Sequence, residues 1–292
     1  EAGLMYGMAE FYGGGAFVII NTFFLVFLTK ALGMPAALAG AIPMVGKVWD
    51  AITDPMMGNI TDRTSSRFGP KRLYILIGGI LSAIAFVSLW TTIPTRSTTV
   101  QFIYYIVMYC LFSTCFTIIM VPYNGLLPDM VDSYDIRSKF SSLRMIWSTV
   151  GAILAGLVPT LMIKDTLNTS MYLKVAIIFG ILFGFAAVVT FIGTWEKVKP
   201  PVKTKLRDSF SEASSVFKSR SFKIFIGIYL SGQCAMDFVS GMAIYYVDDV
   251  LGGYDKGYLT MLMGVLLSSQ LVGMIIFTPI MTRTSKRTTI LI

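Results

Sequence analysis

Histidine is missing altogether from the 292 residues. Its absence removes the commonest general base and metal ligand, and with it hydrolase triads and His-based zinc sites. Cysteine is scarce. Cys110, Cys115 and Cys234 all fall in apolar segments, and Cys110 and Cys115 are spaced to point apart on one helix. They read as small buried apolar residues with no disulfide framework. Charge is thin too: 14% of residues are Asp, Glu, Lys or Arg, where a soluble domain carries about a quarter. Apolar residues, 55% of the chain, fill the space. This is the composition of a membrane protein.

Apolar runs long enough to cross a bilayer occur at roughly 4–29, 36–61, 73–94, 100–127, 140–163, 171–195, 222–248 and 258–281, and another begins near 288. An all-α, polytopic protein follows. No cleavable signal peptide is visible, and the sequence reads as clipped at both ends, slightly at the start and heavily at the finish. Most of the 24 Lys and Arg lie in the connections 62–72, 128–144, 196–223 and 282–287. Lys30, Arg96, Lys164, Lys174 and Lys256 remain for the other face. By the positive-inside rule the basic face is cytoplasmic in a multi-pass protein of the cell membrane. The net charge of +8 is mostly this asymmetry and needs no nucleic-acid partner.

The connection 196–221 predicts a short amphipathic helix, with Leu206, Phe210, Ala213, Val216 and Phe217 at helical spacing. It divides a six-helix bundle, 1–195, from a partial second bundle, 222–292. An internal echo fits that division. Residues 60–77 (ITDRTSSRFGPKRLYILI) and 280–292 (IMTRTSKRTTILI) share an Arg-Thr-Ser block, a Lys-Arg pair and an apolar run. They lie six spans apart, as two parallel repeats require.

The charges inside the second span are the strongest functional signal. Each ionisable group near the bilayer centre costs about 2.5–3.5 kcal/mol on insertion scales, which makes it a candidate functional residue. Lys47, Asp50, Asp54 and Gly58 share an arc of about 80° at 100° per residue. Lys47 offsets one carboxylate, and a bound Na⁺, Li⁺ or H⁺ would cancel the other. Two carboxylates one turn apart suit a small hard cation with oxygen ligands. A purely structural Lys–Asp pair, with the second Asp satisfied by a neighbouring donor, is the competing reading.

Other spans add polar faces. Tyr6, Glu10, Gly14, Phe17 and Asn21 share one face of the first, beside Gly13-Gly14-Gly15, a run that suits close helix approach or a bend. Thr117 and Asn124 stack on the fourth, where Thr117 could lend an oxygen to a cation. Gln233, Asp237 and Ser240 share a face of the seventh, with Asp237 a candidate cavity residue. Trp49, Trp147, Tyr104 and Tyr105 could stack on a sugar ring, although aromatics in membrane helices more often pack.

At the basic end of the second span, Gly58, Asp62 and Arg63 followed by Gly69, Lys71 and Arg72 resemble the loop signature of the major facilitator superfamily, with extra residues between Arg63 and Gly69. Such a loop would act as a gate, holding charged contacts when the inside is shut. KVWDAITDPMMG (47–58), VPYNGLLPDMVDSYDIRSKFSSLR (121–144) and GMAIYYVDDVLG (241–252) further resemble the glycoside–pentoside–hexuronide:cation symporters of that superfamily. The resemblance implies a major facilitator fold of twelve helices, here truncated to about eight and the start of a ninth. It implies a secondary active symporter rather than an enzyme, moving a sugar, glycoside or related, even anionic, solute with Na⁺ or H⁺ by alternating access. Asp50 and Asp54 match the family's cation carboxylates and Thr117 its fourth-span Thr. Thr53 stands where melibiose-carrying members have Asn, which leaves the coupling ion open. Arg144 matches an Arg that helps hold sugar. The family's sugar-gripping Asp residues fall on Gly14 and Met120, and its stacking Trp on Asn124, so the substrate has changed. A lysolipid carrier of the same superfamily is the alternative. No cofactor beyond the coupling cation is expected. The partners are solute, cation and bilayer, and the chain is expected to be a monomer.

Overall fold

A computed structural model describes residues 2–95, 97–196, 219–252 and 257–283. The first helix opens as α1 (Ala2–Gly7) and α2 (Ala9–Ile19), then continues through two π-helical turns, π1 (Ile20–Phe24) and π2 (Phe27–Ala31). Next come α3 (Ala36–Arg63), α4 (Pro70–Leu89), α5 (Thr98–Met130), α6 (Tyr134–Met162) and α7 (Thr169–Gly193). Beyond the connection are α8 (Arg220–Tyr245), a third π turn, π3 (Tyr246–Val250), and α9 (Tyr258–Arg283). No strand occurs among the described residues.

Local chemistry sets the boundaries. Gly33 takes φ 69° and Pro35 precedes α3, so the first helix stops and the chain turns back. Gly69, at φ 90°, leads into Pro70 at the start of α4, where a missing N–H costs nothing. The Asn168 side chain accepts the Ser170 N–H at 3.1 Å and starts α7.

Among the described residues, six segments are long and apolar enough to cross a membrane: Ala2–Phe24, Pro70–Leu89, Thr98–Met130, Asp135–Met162, Thr169–Gly193 and Arg220–Val250. Helix α3 is not among them despite its 28 residues, about 42 Å at 1.5 Å per residue. It carries the charged stretch 47–54, which lowers its hydropathy.

The most extensive helix packing is α2 with α6, α4 with α5, α3 with α5 and α4 with α7. Glycine makes the seam of α1 and α2 with α6. A Cβ on Gly14 would lie 2.6 Å from the Ser148 carbonyl oxygen, and one on Gly7 2.7 Å from Trp147 Cδ1. The expected close approach is therefore real, and it is made against α6. The aromatic residues pack as a core: Phe24, Phe27, Trp90, Tyr105 and Tyr172 form one cluster, with Trp90 stacked on Tyr172 at 5.9 Å. Tyr104 and Tyr105 donate to the Ser88 and Thr91 carbonyls at 3.2 and 3.0 Å, which gives them structural work. One expectation fails: Cys115 is buried, Cys110 half-buried and Cys234 exposed. Cys234 sits on a face of α8 whose neighbours are exposed as well, so an apolar sequence context did not mean burial.

Two helix ends repeat one another. The π turns Phe27–Ala31 and Tyr246–Val250 are separated by 219 residues, as are Lys30 and Asp249. Each is closed by the same backbone bond, Leu32 N to Phe27 O and Leu251 N to Tyr246 O. Each is followed by a left-handed glycine at that offset, Gly33 at φ 69° and Gly252 at φ 58°. The amphipathic helix expected within 196–221 lies outside the described residues, as does the second Arg-Thr-Ser copy apart from Arg283.

Candidate functional site

Helices α3 and α5 run side by side in register, and two rungs join them. Ser113 Oγ donates to Asp50 Oδ1, and Thr117 Oγ1 donates to Asp54 Oδ1 at 2.7 Å. Both rungs span 63 residues, because both helices advance four residues between one rung and the next. A third contact, Trp49 Nε1 to Thr114 Oγ1 at 2.8 Å, fixes the neighbouring face. Thr53 turns its hydroxyl to its own helix, to the Trp49 carbonyl at 3.1 Å. Thr53 thus stays beside both carboxylates without joining the rungs.

These groups open onto a cavity of about 260 Å³ whose lining includes Phe17, Lys47, Asp50, Asp54, Thr117 and Asn124, together with Met120. Lys47 makes no ion pair within 4 Å among the described residues. Its ammonium sits 4.7 Å from the centre of the Phe17 ring, a cation–π contact. The cavity therefore holds two carboxylates and one cation, with hydroxyl oxygens from α5 at each carboxylate. No group of three or more Cys, Asp or Glu that could hold a metal ion occurs among the described residues. The donor set is oxygen-only and carries one excess negative charge, which suits a monovalent hard cation.

Next to it, Arg144 is held from three sides. Its Nε donates to Glu10 Oε1 at 3.1 Å, and Nη2 donates to the same oxygen and to Asn124 Oδ1 at 2.7 Å. The guanidinium lies 4.6 Å from the Tyr123 ring centre. Asn124 thus touches both the cavity and Arg144. Gly14 faces the α6 seam, and Met120 lines the cavity with the end of its side chain against Gly13. Asp237, on α8, accepts from Asn21 Nδ2 at 2.9 Å and Gln233 Nε2 at 3.2 Å.

The loop signature divides. Lys71 Nζ pairs with Asp129 and donates to the Gly125 carbonyl at 2.7 Å. Arg72 Nη2 donates to the Phe191 carbonyl at 2.7 Å. Glu196 accepts the Lys71 N–H at 3.0 Å at the start of α4, where the helix dipole favours a carboxylate. Burial pushes the Glu196 carboxyl above the usual range, against the pull of the two backbone N–H groups. Gly58 faces Val121 loosely, and Asp62 and Arg63 are exposed at the end of α3.

Ser113 and Glu196 belong to no motif in the sequence, nothing in the 121–144 block marks a role for Asp129, and the polar face that marks Glu10 does not mark its partner Arg144. Ser113 was within reach, one turn from Thr117 on the same face. Glu196 was not, since nothing local links it to residue 71.

Residues 5–292 match the family described as MFS/sugar transport protein. The uncharacterized symporter YnaJ of Bacillus subtilis is 30% identical over 251 residues, 83% of this chain and 53% of its own length. The isoprimeverose transporter of Lactiplantibacillus pentosus is 25% identical over 214 residues, 69% of this chain and 44% of its own. The sodium-dependent lysophosphatidylcholine symporter 1 of Xenopus tropicalis is 29% identical over 136 residues, 46% and 26% respectively. The chain spans about half the length, or less, of these relatives.

Proposed function

The chain belongs to the MFS/sugar transport family of membrane transporters, and from that premise we propose that it works in cation-coupled symport by alternating access. The observation that carries this is the pair of rungs from Ser113 and Thr117 to Asp50 and Asp54, opening on one cavity. The cation, Na⁺, Li⁺ or H⁺, is cargo held at Asp50 and Asp54 with Thr117 and Ser113 beside it, and Thr53 tunes the choice. Binding it cancels the excess charge and lets the cavity accept solute. Residues 1–195 form one six-helix half and 222–292 the opening of a second, with the basic connections on the cytoplasmic side of the cell membrane.

The solute is a sugar or glycoside bound between Arg144, Asn124 and Asp237. Charge decides against an anionic one. Glu10 already neutralises Arg144, Lys47 plus one monovalent cation balances Asp50 and Asp54, and Asp237 adds a carboxylate held by the neutral amides of Asn21 and Gln233. An added anion would make the loaded site still more negative, so a neutral glycoside fits best. A lysolipid remains the second reading, favoured by the relatives named as lysophosphatidylcholine symporters. Uptake of a neutral glycoside panel by proteoliposomes with the full chain, driven by a Na⁺ or H⁺ gradient, tests both. Asp54→Asn is expected to abolish ion stimulation. An Asp54→Asn variant that transports uphill as well as the parent would falsify the coupling role, and uptake of lysolipid alone would overturn the glycoside.

A further inference from the structure

At the end of the molecule opposite the basic connections, polar contacts climb the seam between the first helix and α8. Asn21 and Asp237 meet at 2.9 Å, and two turns on Thr29 Oγ1 and Tyr245 Oη lie 2.5 Å apart, both pairs separated by 216 residues. At the tip Lys30 Nζ donates to Asp248 Oδ2 at 2.5 Å and to Asp249 Oδ1 at 2.9 Å, with the Tyr245 ring 5.4 Å away. Thr260 and Thr160, 3.3 Å apart, tie α9 to α6 at the same end. The burial of α8 is confined here: of its residues only Ala243 and Ile244 are buried, with Val247 in π3.

We propose that Lys30, Asp248 and Asp249 form a clasp that holds this face shut and must break for it to open. The inference rests on the alternating-access reading above. Three features carry it. The contact lies at the tips of two helices that repeat one another, where a small rotation of either half gives the largest displacement. Its outermost contacts, the two ion pairs and the Thr29–Tyr245 bond, are polar and can be remade in water as readily as broken, and the apolar contact beneath them is small: Ala243, Ile244 and Val247. It is also sheltered enough to count. The Lys30 side chain is 19% exposed and that of Asp248 30%, while Asp249 at 61% is the outer, weaker partner. Exposed ion pairs contribute about 0–1 kcal/mol, so a single pair would be a poor latch. One ammonium shared by two carboxylates and backed by the Thr29–Tyr245 bond is a better one.

The test uses the full chain in membranes, with the native cysteines replaced by Ala and a reporter Ala243→Cys in the seam. A membrane-impermeant charged maleimide added from the clasp side reads its accessibility. Labelling is expected to be slow in the parent and about tenfold faster or more in Lys30→Glu, where repulsion replaces attraction. Lys30→Gln, the milder change, is expected to fall between. Lys30→Asp with Asp248→Lys keeps one cation and two carboxylates at the tip, and is expected to return to within about threefold of the parent. Equal labelling in the parent and both single variants overturns the clasp, as does a double variant as reactive as Lys30→Glu. Unmoved labelling beside intact, Asp54-dependent uptake sinks the clasp alone. Absence of any cation-driven uptake in the parent sinks the reading it rests on.

Discussion

Thr117 and Ser113 show what one hydroxyl does at a membrane carboxylate. Each donates to one oxygen of an Asp that the low-dielectric surroundings would otherwise leave short of partners. Thr117→Val keeps the shape and removes the donor. A lost hydrogen bond to a charged group costs about 1.5–3 kcal/mol, so the cation concentration giving half-maximal uptake is expected to shift at least about tenfold. A Ser113→Ala variant acts on Asp50 in the same sense. Cation titration of uptake checks both, and an unshifted titration in Thr117→Val would remove Thr117 from the ion's surroundings. Asp50 and Asp54 were legible in the sequence because helical spacing puts them on one face of α3, whereas the place of Thr117 opposite them was implied by the family resemblance and not by spacing. The Glu10–Arg144 pair was not legible, because 134 residues separate its members and only the α2–α6 seam brings them together.

At the scale of elements, glycine placement decides which helices touch. Gly14 meets the Ser148 backbone, which cannot move aside as a side chain end can. Gly14→Ala is expected to destabilise the fold by about 1–3 kcal/mol, the usual cost of overpacking, and to disturb the Glu10–Arg144 pair one turn away. Gly40 has nothing within 4 Å of an added Cβ. There Ala is expected to be neutral or stabilising by up to about 1 kcal/mol, through helix propensity. Thermal unfolding in detergent separates the two, and equal shifts would contradict the seam. The helices themselves were readable from apolar runs, with ends that agree to within about three residues except at the end of α4 and the start of α6, which differ by about five and six. The π turns at the tips were not, since no residue pattern in FLTKA or YVDDV marks a widened turn.

At the scale of the whole molecule, Glu196 links the end of α7 to the start of α4, with Lys71 and Asp129 carrying the tie on to α5. Its carboxyl is raised by burial. A raised carboxyl favours the folded state while it is protonated. That contribution is full below the unfolded pKa of about 4.3 and is lost as pH rises through the higher native value. Melting temperature against pH is therefore expected to fall more steeply from pH 4 upward in the parent than in Glu196→Gln, which cannot ionise. Parallel curves would show that Glu196 titrates as it does in the unfolded chain. The basic asymmetry and the span order were visible at this scale from the sequence. The three-helix tie was not, because its members come from three separate connections.

The twin helix ends have a consequence for pairing. Where two like repeats meet about their shared axis, matching positions face one another, so a chain with identical halves would set like charge against like at the tips. Here one tip carries Lys30 and the other Asp248 and Asp249 on the same backbone. Each tip is repelled by its own kind and drawn to the other. This difference makes the contact between the first helix and α8 attractive, where two tips of the same charge would repel.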